Sequence, residues 1–186
     1  TDHGNDLTWK CFPADFTGGA LPAGNYFLME EVTLSDLVTL EGDVNLCLNG
    51  NTLHAKQISG GTHTLSICDC VGNGKMEGSS GMIESSNGTV NIYGGELTTE
   101  GWPPAIRMFS GTLNLYGGTV SQISVLENEE SAVFNAWGGT VTDLVSMEYG
   151  TANISGGTFA GLQIDSGTLN LSAQPVIQNS ICMASD

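Results

Sequence analysis

Aromatic and amide side chains recur together in the second half of the sequence, and this pairing has the chemistry to bind a sugar. In each case an asparagine stands between two apolar residues, and an aromatic residue follows two positions later. The pairs are Asn91 with Tyr93, Asn114 with Tyr116, and Asn135 with Trp137; Asn153 continues the series with Ser155. Apolar faces of a sugar pack on aromatic rings while its hydroxyl groups bond to amides, so the pattern predicts a glycan-binding face.

The alternative is that these side chains serve only one another. If the repeats are stacked strands, neighbouring coils are about 4.8 Å apart, so rings can stack and amides can hydrogen-bond along a column. The result would be a purely structural ladder. Trp137 is the residue we expect to contact a ligand, because the small Ser155 in the next repeat leaves one face of its ring uncovered.

Five cysteines are the second candidate group: Cys11, Cys47, Cys68, Cys70 and Cys182. Cys47 and Cys68 each stand two residues after the origin of a repeat, so they share one column in adjacent repeats. The resulting separation of roughly 5 Å is compatible with a disulfide between them. Cys70 is the candidate partner of Cys11, a pairing that the sequence leaves open, and Cys182 is expected to stay outside any bridge.

A zinc site is the alternative use of these cysteines. Its ligands would be drawn from Cys47, Cys68, Asp69, Cys70 and either His54 or His63. A C-x-C pair without a C-x-x-C partner is a weak pattern for zinc, and an extracellular location favours oxidised cysteines. We therefore predict neither a metal nor a cofactor.

Acidic residues concentrate in one inserted turn, which contains Glu127, Glu129 and Glu130. Glu148 follows in the corresponding turn of the next repeat. Carboxylate oxygens are the ligands that Ca²⁺ prefers, so the four residues are a candidate calcium site. A solvated acidic loop is the preferred interpretation.

The sequence shows no arrangement of catalytic residues. Polysaccharide-cleaving enzymes need clustered carboxylates, or a Ca²⁺ site with a basic proton acceptor. The basic residues are Lys10, Lys56, Lys75 and Arg107, and none is in phase with an acidic pair of the repeat. We therefore predict that the chain is not an enzyme.

The charge balance excludes two classes of partner. Twenty acidic residues face four basic ones, which gives a net charge of -16. Such a chain repels nucleic-acid phosphates and anionic lipid surfaces. No apolar run is long enough to span a bilayer. We expect a monomer that binds neither nucleic acid nor membrane.

The repeat predicts the elements that position these residues. Seven phased origins recur at intervals of 17 to 25 residues: Asn45, Ser66, Asn91, Asn114, Asn135, Asn153 and Asn170. A drifting period of this kind is typical of a solenoid whose insertions fall in turns. Apolar residues flank each origin, as Val90 and Ile92 flank Asn91. This alternation predicts short strands with apolar residues inside and asparagines outside.

Two further strands are expected in each coil. A glycine pair ends the first strand, because glycine turns a corner without steric penalty. The second strand carries one inward residue per coil: Leu97, Val120, Val141 and Phe159. The third carries two, namely Ile106/Met108, Ile123/Val125, Leu144/Ser146 and Leu162/Ile164.

These features predict an all-β protein, a parallel β-helix (β-solenoid) of about seven or eight triangular coils. One domain is expected over residues 1–186. Residues 1–43, out of phase with the repeat, would form an N-terminal cap and first coil, and residues 44–172 the repeat coils. Residues 173–186 would form a C-terminal cap, because an open solenoid end is an aggregation-prone edge.

Threonine columns suggest one more function, ice binding. They comprise Thr89, Thr112, Thr151 and Thr168 in one column and Thr119, Thr140 and Thr158 in another. Variable coil length and the interruptions at Val133 and Glu96 argue against a regular lattice, and threonine is a common outward residue in strands.

Three stretches carry a family resemblance: GDVNLCLNGNTL (42–53), THTLSICDCVGNGKMEG (62–78) and the later series with glycine pairs. Over roughly residues 24–172 the chain resembles repetitive modules in cell-surface proteins of gut Gram-positive bacteria. It also resembles the right-handed parallel β-helices of the pectate-lyase-like group. The modules are commonly described as carbohydrate-binding domains, so the resemblance implies a right-handed coil and a glycan ligand.

We therefore expect a non-catalytic, adhesin-like module of a secreted or cell-wall-attached protein. Its ligand would be a host mucin-type glycan or a dietary polysaccharide, bound at the Tyr93, Tyr116 and Trp137 face. A purely structural spacer in a large surface protein is the main alternative, since the fold alone does not dictate function. A polysaccharide-active β-helix enzyme is the third.

Overall fold

The protein is described by a computed structural model that covers residues 8–79, 81–126 and 132–184. Strands provide all the regular secondary structure in these three ranges. Within them, no helix has the length and apolar character needed to cross a bilayer. The strands stack in parallel as successive coils and form a β-solenoid of about eight turns. The predicted all-β solenoid is confirmed.

The first sheet contains nine strands in the order of the coils. They are β1 (Trp9–Cys11), β3 (Gly24–Phe27), β5 (Val44–Cys47), β7 (Thr64–Cys68), β10 (Thr89–Ile92), β13 (Thr112–Leu115), β16 (Val133–Ala136), β18 (Thr151–Ile154) and β20 (Thr168–Leu171). The register aligns Asn91 with Asn114 and Val90 with Leu113. Val90 and Leu113 are buried, whereas the asparagines beside them reach the surface. The predicted phase of this strand is confirmed.

The second sheet contains twelve strands and forms the rest of each coil. They are β2 (Gly19–Leu21), β4 (Val32–Leu40), β6 (Thr52–Gly61), β8 (Lys75–Gly78), β9 (Ile83–Ser85), β11 (Glu96–Thr99), β12 (Ile106–Met108), β14 (Thr119–Val120), β15 (Ile123–Val125), β17 (Thr140–Met147), β19 (Thr158–Ile164) and β21 (Val176–Met183). In the middle coils the second and third segments are separate short strands, as predicted. In the outer coils one long strand replaces both, as β6 pairs with β8 and then with β9.

Apolar side chains from every segment fill the interior of the coils. The four inward residues predicted for the second segment are at most 1% exposed: Leu97, Val120, Val141 and Phe159. Phe134 and Phe159 pack edge to face with their ring centroids 6.3 Å apart. Burial of each such side chain stabilises the fold by about 1.5–3 kcal/mol, so this interior is the main source of stability.

The prediction for the third segment of one coil is wrong by one residue. Val145 and Met147 are the fully buried pair, whereas Leu144 and Ser146 are partly exposed. A bulge between Val141 and Leu144 inserts one extra residue before the inward positions resume. Because side chains alternate along a strand, one added residue exchanges the inward and outward sets.

The glycine pairs turn the chain where neighbouring coils approach most closely. Gly118 has a φ of +78°, a conformation that side chains disfavour. A Cβ atom built on Gly117 would lie 2.7 Å from the carbonyl oxygen of Tyr93 in the coil before. Both glycines of this pair therefore allow close stacking, since a Cβ atom on Gly118 would lie 2.7 Å from the carbonyl oxygen of Gly95, and Gly118 also supplies the turn.

The terminal segments continue the coils. Asn25 in β3 aligns with Asn45, so this part of residues 1–43 is in phase with the repeat, contrary to the sequence-based expectation. Strand β1 pairs with β3 in the same sheet. From the region predicted as a C-terminal cap, β21 pairs in parallel with β19 and leaves Val176 and Met183 exposed.

Candidate functional site

The asparagines of the first sheet form one hydrogen-bonded row, which we call the amide ladder. Each Nδ2 donates to the residue at the same position in the preceding coil. The links are Asn91 to Ser66 Oγ (3.1 Å), Asn114 to Asn91 Oδ1 (2.8 Å), and Asn135 to Asn114, Asn153 to Asn135 and Asn170 to Asn153 (each 2.9 Å). A separate link joins Asn45 Nδ2 to Asn25 Oδ1 at 2.7 Å. The asparagines thus lie on one face, as predicted.

Beside the ladder, Tyr93, Tyr116 and Trp137 form a column that we call the aromatic stack. Neighbouring ring centroids are 4.7 Å apart, and the rings are within 7° of parallel. The side chains remain 52%, 42% and 50% exposed. Burial and the neighbouring Tyr116 raise the pKa of Tyr93. The structure therefore brings together all the residues nominated as the glycan-binding face.

The stacking determines which ring surfaces are open. Tyr116 is covered on both faces by its neighbours. Trp137 is covered by Tyr116 on one face, and the next residue in its column is Ser155. The Ser155 hydroxyl donates to the carbonyl oxygen of Ala136 at 3.2 Å, so it is held against the backbone. The face of the indole that points away from Tyr116 thus has only a small side chain beyond it.

Three cysteines lie beyond Tyr93, at the end of the aromatic stack opposite Trp137. Cys47 and Cys68 are aligned in register on neighbouring strands, as predicted. Cys70, two residues after the end of β7, places its Sγ atom 2.7 Å from Sγ of Cys47. All three sulfur atoms lie within 4.8 Å of one another. We call this the thiol cluster.

The thiol cluster differs from the pairings considered from the sequence. Cys70 contacts Cys47, whereas Cys11 lies on β1 and is separated from Cys47 by strand β3. Burial, followed by the hydrogen bond with Cys47, raises the pKa of Cys70 to about 11. Burial and the two neighbouring sulfur atoms also raise the pKa of Cys68.

His54 is not part of the thiol cluster, which removes it from the zinc ligand set considered above. It lies on the second sheet, where its Nε2 is 3.2 Å from Glu31 and its Nδ1 is 3.7 Å from Glu77. Asp69, also considered as a ligand, instead accepts hydrogen bonds from the backbone N–H groups of Gly50 and Gly74.

His54 and Glu77 also line a groove that the sequence did not reveal. The groove has a volume of about 670 Å³, and its polar lining also includes Thr33, Lys56 and Glu100. Thr33, His54 and Glu77 are aligned in register on β4, β6 and β8. The sequence analysis could not show that these three residues align, because it took the phase of the repeat from the asparagines of the first sheet. The alignment is seen only in the pairing of the second-sheet strands.

Two basic residues each align with one acidic residue of a neighbouring coil. Arg107 aligns with Glu84, and Arg107 Nη1 is 3.0 Å from the carboxylate. Lys75 aligns with Glu96 at 3.4 Å. Both pairs are on the second sheet. The spacing of the asparagines does not predict the register of this sheet, because the asparagines lie in the first sheet. Exposed pairs such as Lys75–Glu96 contribute about 0–1 kcal/mol each.

The remaining candidates are placed as follows. Glu127, Glu129 and Glu130 lie outside the described residues, so the calcium site stays a prediction, and Glu148 is partly exposed. Val133 interrupts one threonine column between Thr112 and Thr151. Glu96 aligns with Thr119 at the start of the other column.

Comparison with known proteins adds nothing to this geometry. No family model matches this chain, and neither does a curated protein or a solved structure. The resemblance to bacterial cell-surface modules therefore has no support beyond the solenoid itself.

Proposed function

We propose that this protein is a non-catalytic glycan-binding module of a secreted or cell-surface protein. Its binding site is the end of the aromatic stack at Trp137, together with the adjacent amide ladder. One observation carries the proposal: an exposed column of parallel rings ends at an indole face with only a small serine beyond it.

A sugar ring matches the spacing of the column beyond Trp137. The rings of the stack are 4.7 Å apart, so a pyranose lying parallel to the indole occupies the next place in the column, over Ser155. Its C–H groups contact the ring face, which is attractive because the face of an aromatic ring is electron-rich. Contact with an open indole face also removes apolar surface from water.

The amide ladder supplies hydrogen-bonding groups next to that position. Each asparagine Nδ2 has two hydrogens, and the ladder uses one of them. The second hydrogens of Asn153 and Asn170 are therefore donors for sugar hydroxyl groups near Trp137. The ladder fixes these amides in place, which reduces the entropy lost on binding.

The charge of the protein favours a neutral glycan. With a net charge of -16, the surface repels sialylated, sulfated and uronic-acid polymers. The preferred ligand is thus a neutral chain of mucin-type or dietary polysaccharide origin.

The test is a glycan array, followed by titration of the best ligand against variants. Trp137→Ala should weaken binding at least tenfold, about 1.4 kcal/mol. Trp102→Ala is the matched control, because Trp102 is 67% exposed but lies outside the aromatic stack. Equal binding by the two variants, or no ligand for the wild type, would contradict the proposal.

A structural spacer is the second candidate, and the closed amide ladder favours it. Every asparagine from Asn91 to Asn170 has a partner within the row, and Tyr116 has both faces covered. Such contacts stabilise a rod without a ligand. This candidate predicts that Trp137→Ala lowers the unfolding free energy while the wild type binds no saccharide.

A further inference from the structure

Three sulfur atoms converge at the first-sheet surface, next to the aromatic stack. Cys47 is fully buried, Cys68 is partly exposed, and Cys70 is at the surface. The sulfur atoms lie within 4.8 Å of one another, and the Cys47 and Cys70 atoms are 2.7 Å apart. Two unbonded thiols do not normally approach this closely, so the cluster calls for either a bond or a bridging ion.

The backbone holds each of the three sulfur atoms in place. Strand pairing aligns Cys47 with Cys68 in adjacent coils. The turn after Cys68 brings Cys70 back over Cys47, and the Asp69 carboxylate fixes that turn. Asp69 Oδ1 accepts from the Gly50 N–H at 2.8 Å, and Oδ2 accepts from the Gly74 N–H at 2.7 Å. The carboxylate is thus a supporting group for the cysteines.

We infer that Cys47, Cys68 and Cys70 form a three-thiolate site for a soft, closed-shell metal ion, with Zn²⁺ as the first candidate. Thiolates are the protein ligands that select Zn²⁺ and Cu⁺. Zn–S bonds of about 2.3 Å require sulfur atoms roughly 3.8–4.0 Å apart. Within a cluster 4.8 Å across, loading needs only small side-chain rotations that move Cys70 away from Cys47.

A metal ion accounts for the cluster better than a disulfide does. A disulfide uses two of the three sulfur atoms and leaves the third beside it without a role, whereas an ion engages all three. Binding releases the three thiol protons to solvent as the ion enters. The exposed Cys70 gives the ion access from solvent, and a water molecule would supply the fourth ligand of a tetrahedral site.

The site can be tested on the full chain, reduced and freed of metal in the absence of oxygen. Titration with Cd²⁺, a spectroscopic substitute for Zn²⁺, should give a sulfur-to-metal charge-transfer band that saturates at about one equivalent. In the Zn²⁺-loaded protein, iodoacetamide should modify Cys11 and Cys182 while the other three cysteines are protected.

Cys70→Ser should weaken Cd²⁺ binding by more than about 100-fold, because loss of a ligand exceeds the 10–100-fold effect of losing an outer partner. Cys182→Ser is the matched control and should bind Cd²⁺ as the wild type does. Cys182 lies in β21, at the end of the second sheet, whereas the thiol cluster is beside the first sheet. Cys70 is exposed, so its replacement should leave the far-ultraviolet circular dichroism unchanged.

Two results would overturn the inference. One is the absence of a charge-transfer band, or a band of equal strength in Cys70→Ser. The other is a Cys47–Cys70 disulfide in protein isolated without oxygen, with Cys68 open to alkylation. The inference is independent of the proposed glycan function, because Trp137→Ala should bind Cd²⁺ normally.

Discussion

Tyr116 is held between two parallel rings, so it should contribute more to stability than either end of the aromatic stack. Tyr116→Ala removes two stacking contacts worth about 0.5–1.5 kcal/mol each, whereas Trp137→Ala removes one. We expect Tyr116→Ala to lower the unfolding free energy by about 1–3 kcal/mol, and Trp137→Ala by about half as much. Urea denaturation measures both, and equal losses would show that the rings act independently.

Asn114 is an interior member of the amide ladder, and its removal affects two neighbours. Asn114→Ala leaves Asn135 Nδ2 without its acceptor and Asn91 Oδ1 without its donor. We expect a loss of about 1–3 kcal/mol. Asn170→Ala at the exposed end should cost about 1 kcal/mol or less, because only Asn153 loses a partner. Denaturation of both variants gives the comparison, and a larger loss for Asn170→Ala would contradict a cooperative ladder.

At this scale the sequence predicted the residues inside strands but not those in turns. Asn114 could be placed because strand alternation fixes the face on which it lies, and Tyr116 because it directly follows Leu115, the last residue of β13. Cys70 could not, because it follows the end of β7, where no alternation applies. Its position depends on the hydrogen bonds of Asp69 to two backbone groups from different coils.

Among the elements, the glycine corners should be sensitive to substitution in two separable ways. Gly118 has a φ of +78°, and a Cβ atom there would lie 2.7 Å from the Gly95 carbonyl oxygen. Gly101 has a φ of +76° but open space around it. Gly101→Ala should cost about 1–2 kcal/mol for its backbone conformation alone.

Gly118→Ala should lower the unfolding free energy by about 1–3 kcal/mol more than Gly101→Ala does, because its Cβ atom also prevents the coils from approaching as closely. Thermal or urea unfolding of the two variants isolates the contribution of close packing. Identical losses would mean that only the backbone conformation matters at Gly118.

The bulge in β17 gives a second prediction at this scale. Val145→Ala should destabilise by about 1.5–3 kcal/mol because Val145 is fully buried, whereas Leu144→Ala should have a small effect because Leu144 is partly exposed. Unfolding free energies of the two variants test the register. The opposite ranking would restore the pairing predicted from the sequence.

The elements themselves were predictable where the repeat is regular. Strands β10, β13, β16 and β18 follow from asparagine spacing and apolar alternation. The bulge before Leu144 was not predictable, because its extra residue has no sequence marker such as glycine or proline. Asn25 was predictable in principle, since it precedes Asn45 by twenty residues, an interval within the period of the repeat.

The whole molecule carries a net charge of -16, so its acidic side chains repel one another in the folded state and lower its stability. Salt screens exposed charges over roughly a 10 Å Debye length at 0.1 M. We expect the melting temperature to rise by several degrees between very low and physiological NaCl concentration. A melting temperature that falls with salt would mean that the ion pairs of the second sheet outweigh the repulsion.

At the same scale, the amide ladder has a direction. Every link from Asn170 to Ser66 donates towards the preceding coil, so the side-chain dipoles point the same way along the rod axis. Aligned dipoles add, as they do in a helix. One end of the row therefore carries partial negative charge at the Asn170 oxygen, and the other carries partial positive charge near Ser66. The surface of this rod has an electrostatic polarity that its composition alone does not reveal.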